Sequence, residues 1–202
     1  MTERYRDLLF TPGVRAAQAR EGSAAAYAPK GAAEGPDRLG PDEAAFVAAR
    51  DSFYMATVGG GGWPYVQHRG GPPGFVRVLG PDRVAWADLR GNRQYISLGN
   101  LDGDDRASLF FMDYVNRARL KLLGRVRAVP AAEAPEVVAA VEDPRLRARI
   151  ERVFVVAVDA FDWNCPQHIT PRFTAADLAP TLGALQGRIA ELEAEVARLR
   201  GA

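Results

Sequence analysis

The stretch "WADLRGNRQYISLGNL" joins an arginine-containing turn to a segment of helical spacing. A helix N-terminus presents unpaired backbone N–H groups and the positive end of the helix dipole, so it favours a bound anion. Arg90, Asn92 and Arg93 add side-chain donors at this point, and Gly91 lets the backbone turn closely. The pattern predicts a phosphate-binding turn, with solvated arginines of no specific role as the alternative.

A second pair of polar side chains precedes a turn rich in glycine and proline. His68 and Arg69 end the strand-like segment "WPYVQHR", directly before "GGPPG". Long polar side chains at such a place are typical of residues that face a ligand, and Arg69 would supply another cation for an anion. For His68 the alternative is an ordinary exposed or hydrogen-bonded histidine.

Composition limits the classes of function. The chain has 202 residues, 48% hydrophobic content and a formal net charge of +1, enough for one core but without a general basic field for nucleic acid. There is no apolar run of membrane-spanning length and no signal-peptide core at the start, so we expect a cytoplasmic protein. The single cysteine, Cys165, excludes an internal disulfide. Cys165 and His168 are two ligands only, so no metal site is predicted.

The elements that would position these residues are mostly strands. Apolar segments rich in β-branched and aromatic residues are separated by turns such as "GGGG", "GGPPG" and "GPD". They predict six or seven antiparallel strands in a small barrel of the α+β class. Gly124 interrupts the alternation of its segment and predicts a β-bulge. Three helices are predicted in this part of the chain: one begins at Pro41, one covers 94–101, and one is an insert over 132–152. The predicted strands are 53–59, 63–69, 75–79, 83–87, 106–114, 117–129 and 153–161.

The two ends of the chain differ from its middle. Residues 1–40 are rich in Ala, Gly and Pro and predict an arm with one short helix near 14–20. Residues 41–175 form the predicted barrel domain, and 176–202 a separate amphipathic helix resembling a coiled coil. Its apolar side chains follow heptad spacing, which favours pairing with a second subunit; packing back on its own barrel is the alternative. The heptad positions are Leu182, Leu185, Ile189, Leu192, Val196 and Leu199.

Four segments together resemble a known family. The segments "GWPYVQHRGGPPGFVRVL", "ADLRGNRQYISLGNL", "DRASLFFMDYVNRARLKLLGRVR" and "FDWNCPQHITPRF" are similar to the pyridoxamine 5'-phosphate oxidase-like FMN-binding split barrels, in a branch distinct from the oxidase itself. The resemblance covers roughly 41–175. It implies a homodimer that holds FMN in clefts between subunits.

The resemblance assigns the phosphate end of the cofactor to particular positions. An element that opens a helix in the oxidase aligns here with Asn92, Arg93 and Gln94. The arginine on the oxidase's first cofactor strand falls nearest Gln67, and Arg69, two residues on and on the same strand face, is expected to replace its charge.

It also assigns positions near the flavin ring. The family's ring-facing glutamine falls near Arg119, where this chain departs from the pattern. The oxidase uses a Trp and an Arg near its C-terminus, which implies roles for Trp163 and Arg172, with Gln167 and His168 as donors. A core aromatic is the alternative for Trp163.

Function follows from the same comparison. The segment that grips pyridoxamine phosphate in the oxidase is replaced by "PAAEAPEVVAAVEDPRLRARI", so oxidation of vitamin B6 is not expected. The resemblance implies an FMN-dependent oxidoreductase for another small molecule, with NAD(P)H as a candidate electron donor. The alternative is a flavin- or haem-binding protein without turnover, in which His68 or His168 would be the haem ligand.

Overall fold

The computed structural model describes residues 1–29, 31–146, 148–163 and 166–201. Within these ranges seven strands form one antiparallel sheet in the order β2-β1-β5-β6-β7-β4-β3. This confirms the predicted strand number and fold class. The strands are β1 (Ser52–Val58), β2 (Pro64–Gly70), β3 (Arg77–Gly80), β4 (Arg83–Leu89), β5 (Arg106–Asp113), β6 (Ala118–Pro130) and β7 (Ile150–Trp163).

The core lies on one face of this curved sheet. Along β5, Ala107, Leu109 and Phe111 are buried while the residues between them are more exposed, as the period of two in a strand requires. β2 and β4 stand first and sixth in the sheet order, yet their side chains hydrogen-bond across the core. The sheet therefore curls into a barrel. Its largest fully buried side chains are Trp86, Phe53, Phe111, Phe154, Met55 and Leu109.

Gly124 lies at an irregularity in the pairing of β6 with β7, as predicted. The register shifts between Leu123 and Gly124. A Cβ at Gly124 would overlap the carbonyl oxygen of Ala157 and a methyl group of Val156. Glycine is therefore required here by the close approach of the neighbouring strand.

Helices occupy the two ends of the chain and three connections. In the described ranges the α-helices are α1 (Glu3–Leu9), α2 (Pro12–Arg20), α3 (Pro41–Ala48), α4 (Ile96–Gly103), α5 (Pro135–Val141) and α6 (Ala175–Arg200), and short 3-10 helices cover Ala24–Tyr27 and Ala131–Glu133. The arm over 1–40 thus contains a second helix, α1, which was not predicted. Thr2 caps α1 by accepting a hydrogen bond from Tyr5 N, and Tyr5 is buried.

The predicted helix over 132–152 was wrong at both ends. α5 covers only Pro135–Val141. Pro144 disfavours helical backbone in the residue before it. Ile150 and Arg152 belong instead to β7, where they pair with Leu89 and Asp88 of β4. The strand pairing decides their conformation in place of local propensity.

The predicted C-terminal helix is confirmed as α6, whose first turn is closed by a capping box between Thr174 and Asp177. None of its residues is buried, and its six heptad side chains are 44–62% exposed. The alternative that this helix packs back on its own barrel does not hold in this chain. Among the described helices, none has the length and apolar character needed to cross a membrane.

Candidate functional site

The arginine-containing turn and the end of β2 meet in one cleft. Its walls come from β2, β4, β7, the turn between β4 and α4, and the first residues of α4. The lining residues are Tyr65, Gln67, Arg69, Asp88, Leu89, Gly91, Asn92, Arg93, Gln94, Tyr95, Ile96, Ser97, Leu98, Arg152 and Phe154. The cleft therefore contains five of the predicted site residues: Gln67, Arg69, Asn92, Arg93 and Gln94.

A carboxylate between two arginines forms the floor of the cleft. Arg69 Nη1 donates to Asp88 Oδ1 at 2.9 Å, and Arg152 Nη1 donates to Asp88 Oδ2 at 2.6 Å. All three side chains are largely buried, with at most 17% of their area exposed. Burial is the largest single influence on the pKa of Arg152 and lowers it. The hydrogen bond and the negative charge of Asp88 act in the opposite direction, and the pKa of Arg152 is raised overall. Asp88 thus fixes two guanidinium groups side by side.

Arg69 retains a donor without a partner. Its Nε is buried and makes no hydrogen bond within the described structure. The guanidinium carbon lies 5.1 Å from the centroid of the Phe154 ring, which holds the side chain in place by a cation–π contact. A buried, unsatisfied cationic N–H is costly. Its position in the lining of a cleft indicates that an acceptor belongs there.

The turn before α4 has unusual backbone geometry. Arg93 and Tyr95 adopt positive φ angles of 61° and 53°. A bulky residue in the left-handed region is uncommon and costs energy, and such residues cluster at functional sites. The sequence predicts that Gly91 lets the backbone turn closely, but the residues of this turn with left-handed backbone are Arg93 and Tyr95. α4 consequently begins at Ile96, two residues later than predicted, with Tyr95 as its N-cap.

Hydrogen bonds within the turn direct its side chains. Arg93 Nε donates to the Tyr95 hydroxyl at 3.3 Å, which raises the pKa of Arg93. The Tyr95 hydroxyl donates in turn to Glu151 Oε2 at 3.3 Å, and the Gln94 backbone N–H donates to Asn92 Oδ1 at 3.2 Å. Arg93 is exposed at the mouth of the cleft and remains a cation at any physiological pH.

Gln67 is fixed from the first turn of α4. The Ser97 hydroxyl donates to Gln67 Oε1 at 2.7 Å. One turn later, the Asn100 side chain donates to the Thr57 hydroxyl at 3.0 Å and anchors α4 to β1. The N-terminus of α4 is therefore held against the barrel with its first backbone N–H groups at the cleft.

The charge of the lining favours a dianion, and the small volume of the cleft means that only a small group can be enclosed. Three arginines, Arg69, Arg93 and Arg152, and one carboxylate, Asp88, line the cleft, which gives a net charge of +2. The cavity volume is only about 70 Å³, whereas pockets that enclose a small-molecule ligand usually measure about 300–1,000 Å³. One chain thus provides an anion-binding groove that would leave most of a larger ligand uncovered.

Two of the predicted residues lie elsewhere with other partners. Trp163 donates from Nε1 to Glu43 Oε1 at 2.6 Å and contacts Phe46 edge-on, at 4.7 Å between centroids. Trp163 thus packs on α3 and does not line the cleft, and at 36% exposure it is not a core aromatic either. Arg90 is 61% exposed and its nearest carboxylate is Glu151, at 3.9 Å. Arg90 therefore lies in the turn between β4 and α4 but does not line the cleft.

Three more of the predicted residues lie together on the opposite side of the sheet. Arg119, His168 and Arg172 line a shallow groove together with Tyr54 and Tyr114. The Arg172 guanidinium stacks over the Tyr114 ring at 4.6 Å, and burial together with a hydrogen bond between Tyr114 and Tyr54 raises the pKa of Tyr114. This set is called the tyrosine groove below.

The two remaining predictions near that groove have different outcomes. His68 points away from Gln67 and Arg69, since neighbouring strand residues alternate between faces, and its ring packs against Tyr54 at 5.6 Å. Gln167 is exposed in the loop after β7. Cys165 lies outside the described residues.

The lining residues that the sequence analysis missed include four polar ones that form the hydrogen bonds of the cleft: Asp88, Tyr95, Ser97 and Arg152. Ser97 and Tyr95 could have been found from their place beside the predicted turn. Asp88 and Arg152 carried no local signal, because they meet only through the register of β4 with β7. In the described ranges, no group of three or more His, Cys, Asp or Glu side chains is arranged to hold a metal ion.

Comparison with solved structures finds distant likenesses. HupZ from Group A Streptococcus is 12% identical over 67% of this chain and 100% of its own, with a TM-score of 0.48. An FMN-binding protein from Syntrophomonas wolfei is 10% identical over 60% of this chain and 83% of its own, with a TM-score of 0.47. A Clostridium acetobutylicum protein related to general stress protein 26, of the pyridoxinephosphate oxidase family, is 14% identical over 68% and 94%, with a TM-score of 0.43.

The sequence itself decides the family. No curated protein matches it. The family model described as pyridoxamine 5'-phosphate oxidase matches residues 39–161, more than half of the chain. These residues run from just before α3 to near the end of β7 and include every residue that lines the cleft. The chain therefore belongs to the pyridoxamine 5'-phosphate oxidase-like split-barrel family.

Proposed function

We propose that this protein is an FMN-dependent oxidoreductase that acts on a small molecule. The observation that carries the proposal is the cleft of net charge +2, in which the buried Nε of Arg69 has no hydrogen-bond partner. The FMN phosphate carries up to two negative charges and several strong acceptor oxygens. Charge and donor chemistry therefore fit this group.

Particular residues would hold the phosphate. Arg69 supplies the unsatisfied Nε–H, and Arg93 supplies a second cation at the mouth of the cleft. The first backbone N–H groups of α4 lie at the same place and lack helical partners. Each hydrogen bond between charged groups contributes roughly 1.5–3 kcal/mol, so two arginines and a helix end suffice for anchoring.

Other residues would orient the ring. Phe154 and Ile96 offer apolar surface beside the cations, and Gln67, fixed by Ser97, offers an amide. Bound FMN would supply two-electron chemistry by accepting or giving a hydride at its N5 atom. The protein's own part is then to bind and orient the cofactor and to tune its chemistry.

We propose further that the site is completed by a second subunit. The cleft of about 70 Å³ is too small to enclose a flavin. The family resemblance implies a homodimer with FMN between subunits. The tyrosine groove, which holds Arg119, His168 and Arg172, is another surface of the described chain that combines cations with aromatic rings. A cytoplasmic location remains part of this proposal.

Flavin binding without turnover is the second candidate. It is favoured by the engaged state of Asp88, which leaves no carboxylate in the lining available as a general base. Haem has less support, since neither His68 nor His168 lines the cleft.

An absorbance titration tests the proposal. Purified protein, freed of any ligand, is titrated with FMN, then mixed with NADPH or NADH without oxygen and returned to air. We expect saturable FMN binding, bleaching of the flavin band and its recovery in air. Binding with a band that dithionite bleaches but neither nicotinamide does would support the non-catalytic alternative. Absence of FMN affinity in a folded, dimeric protein would overturn both.

A further inference from the structure

The seam of α6 is an apolar stripe that the chain leaves uncovered. Its residues recur at intervals of three and four from Leu178 to Leu199. They are 41–62% exposed, although a leucine or isoleucine is normally placed where water is excluded. The remaining faces carry mostly alanine, glycine and charged residues, together with Pro180, Thr181 and Gln186. The stripe is thus narrow, as in a coiled-coil helix. Its members are Leu178, Leu182, Leu185, Ile189, Leu192, Val196 and Leu199.

The composition of α6 argues that it does not stand alone. Pro180 lies inside the helix and removes one backbone hydrogen bond. Gly183 and Gly187 each make a helix less favourable than alanine would. A helix with these residues and no buried side chain requires packing against a partner to be stable.

We propose that α6 pairs with α6 of a second copy of this chain in a parallel, in-register, two-stranded coiled coil. In the heptad, Ile189 and Val196 occupy a positions, and Leu185, Leu192 and the outer leucines occupy d positions. β-branched residues at a with leucine at d favour two parallel strands. Leu182 is the exception at a.

The flanking charges match the same arrangement. In a parallel pair, a residue at g lies beside the residue at e of the following heptad in the other helix. Arg188 at g would meet Glu193 of the second copy, and Glu195 at g would meet Arg200. Two-fold symmetry repeats both pairs, and each joins opposite charges.

An antiparallel pairing satisfies fewer charges. With Leu182 opposite Leu199, Arg188 would meet Glu195. Glu193 would then lie opposite the uncharged Gln186, and Arg200 opposite Ala179. In the single chain Arg188 pairs with Glu191 of its own helix at 2.8 Å, an exposed contact that is easily exchanged. The mixed signs also do not suit an anionic membrane surface, which selects basic helices.

Disulfide trapping in the full chain tests the orientation. On a Cys165→Ser background, Leu199→Cys places a thiol at a d position near the end of α6. In a parallel, in-register pair the two thiols face each other within the Cα separation that a disulfide allows. In the antiparallel pair they lie about 25 Å apart, since 17 residues separate Leu199 from Leu182 at about 1.5 Å each.

We expect mild oxidation to convert most of the Leu199→Cys protein into a covalent dimer. Ala194→Cys, at an outward f position of the same helix, should pair in the same way without forming a disulfide and is the matched control. Cross-linking only in a mixture of Leu182→Cys and Leu199→Cys chains would overturn the parallel arrangement. Absence of any cross-link in a folded protein would overturn the pairing, whether or not the protein binds a flavin.

Charge exchange provides a second, independent measurement. Arg188→Glu in the Leu199→Cys protein should slow cross-linking by on the order of tenfold, because it places like charges beside each other. Adding Glu193→Arg should restore the rate. Failure of Glu193→Arg to restore the rate would contradict the proposed contact between Arg188 and Glu193 of the second copy.

Discussion

Arg69 and Asp88 join two strands that stand five places apart in the sheet. Arg69 lies on β2, at one edge, and Asp88 on β4, next to the other edge, yet Nη1 and Oδ1 are 2.9 Å apart. The contact exists because the sheet curls on itself. The same carboxylate that helps to close the barrel therefore also fixes the cation that the proposed cofactor site requires.

Asp88→Asn should destabilise the fold. The substitution removes the carboxylate that Arg69 and Arg152 share in a largely buried place, and within the described residues only Arg152 keeps another acidic partner, Glu151 at 3.4 Å. A lost hydrogen bond between charged groups costs about 1.5–3 kcal/mol, and the remaining repulsion adds to it. Urea denaturation should show a lower midpoint at an unchanged slope. Asp82→Asn, in the exposed turn between β3 and β4, is the control and should change the midpoint little. Equal midpoints for Asp88→Asn and wild type would contradict a structural role for this carboxylate.

Arg69→Lys separates the structural from the binding role of this position. Lysine keeps a cation beside Asp88 but lacks the buried Nε–H that has no partner within the described structure. We expect the affinity for FMN to fall about tenfold or more, as for one lost charged hydrogen bond, with a smaller loss of stability than in Asp88→Asn. Fluorescence titration with FMN measures the first quantity. Arg77→Lys on β3, outside the cleft, should bind as wild type. Unchanged affinity in Arg69→Lys would show that Nε does not contact the cofactor.

The strands were predictable because their signals are local. Leu120, Leu122 and Val126 are buried on β6 and alternate with charged residues, and glycine-rich turns mark where the strands end. The pairing of Asp88 with Arg152 was not predictable, since 64 residues separate them and only the register of β4 with β7 brings them together. Trp163 carried the right chemistry for a flavin wall, but packing on α3 decides its position. Local patterns thus predict elements, whereas contacts between elements form the cleft.

Gly124→Ala should be among the most damaging single-methyl changes. The new Cβ would overlap the Ala157 carbonyl oxygen, which is backbone and cannot rotate away. Overpacking of this kind costs about 1–3 kcal/mol. Thermal denaturation should show a clearly lower Tm. Gly187→Ala, where an added Cβ meets nothing within 4 Å and the backbone is helical, should leave Tm unchanged or raise it. A Tm for Gly124→Ala equal to that of the wild type would contradict the close approach of the Ala157 carbonyl to this position.

The stability of the loop after α5 should depend on acid pH through Asp143. Hydrogen bonds from the Arg145 side chain and backbone lower the pKa of Asp143 to about 2. A carboxyl whose pKa is lower in the folded state stabilises the fold above its unfolded pKa, near 3.9, and loses this contribution as pH falls toward 2. Asp143→Asn should therefore lower Tm at pH 7, and the gap to wild type should close near pH 2. Arg145→Gln removes the partner and should behave alike. A gap that stays constant with pH would exclude this ion pair as the cause.

Arg93→Glu tests whether the turn before α4 recognises phosphate. Arg93 lies at the mouth of the cleft, and reversing its charge replaces attraction of the phosphate by repulsion. We expect affinity for FMN to fall at least about a hundredfold, from a lost charged hydrogen bond and the added repulsion. Riboflavin has the same ring without the phosphate and should lose far less. Arg83→Glu, at the exposed first residue of β4, is the control and should change neither affinity. Titration of both flavins, with circular dichroism to confirm folding, gives the ratio of the two losses. Equal losses for FMN and riboflavin would mean that Arg93 shapes the cleft without contacting phosphate, and the anion would then have to be held by Arg69 and the helix end alone.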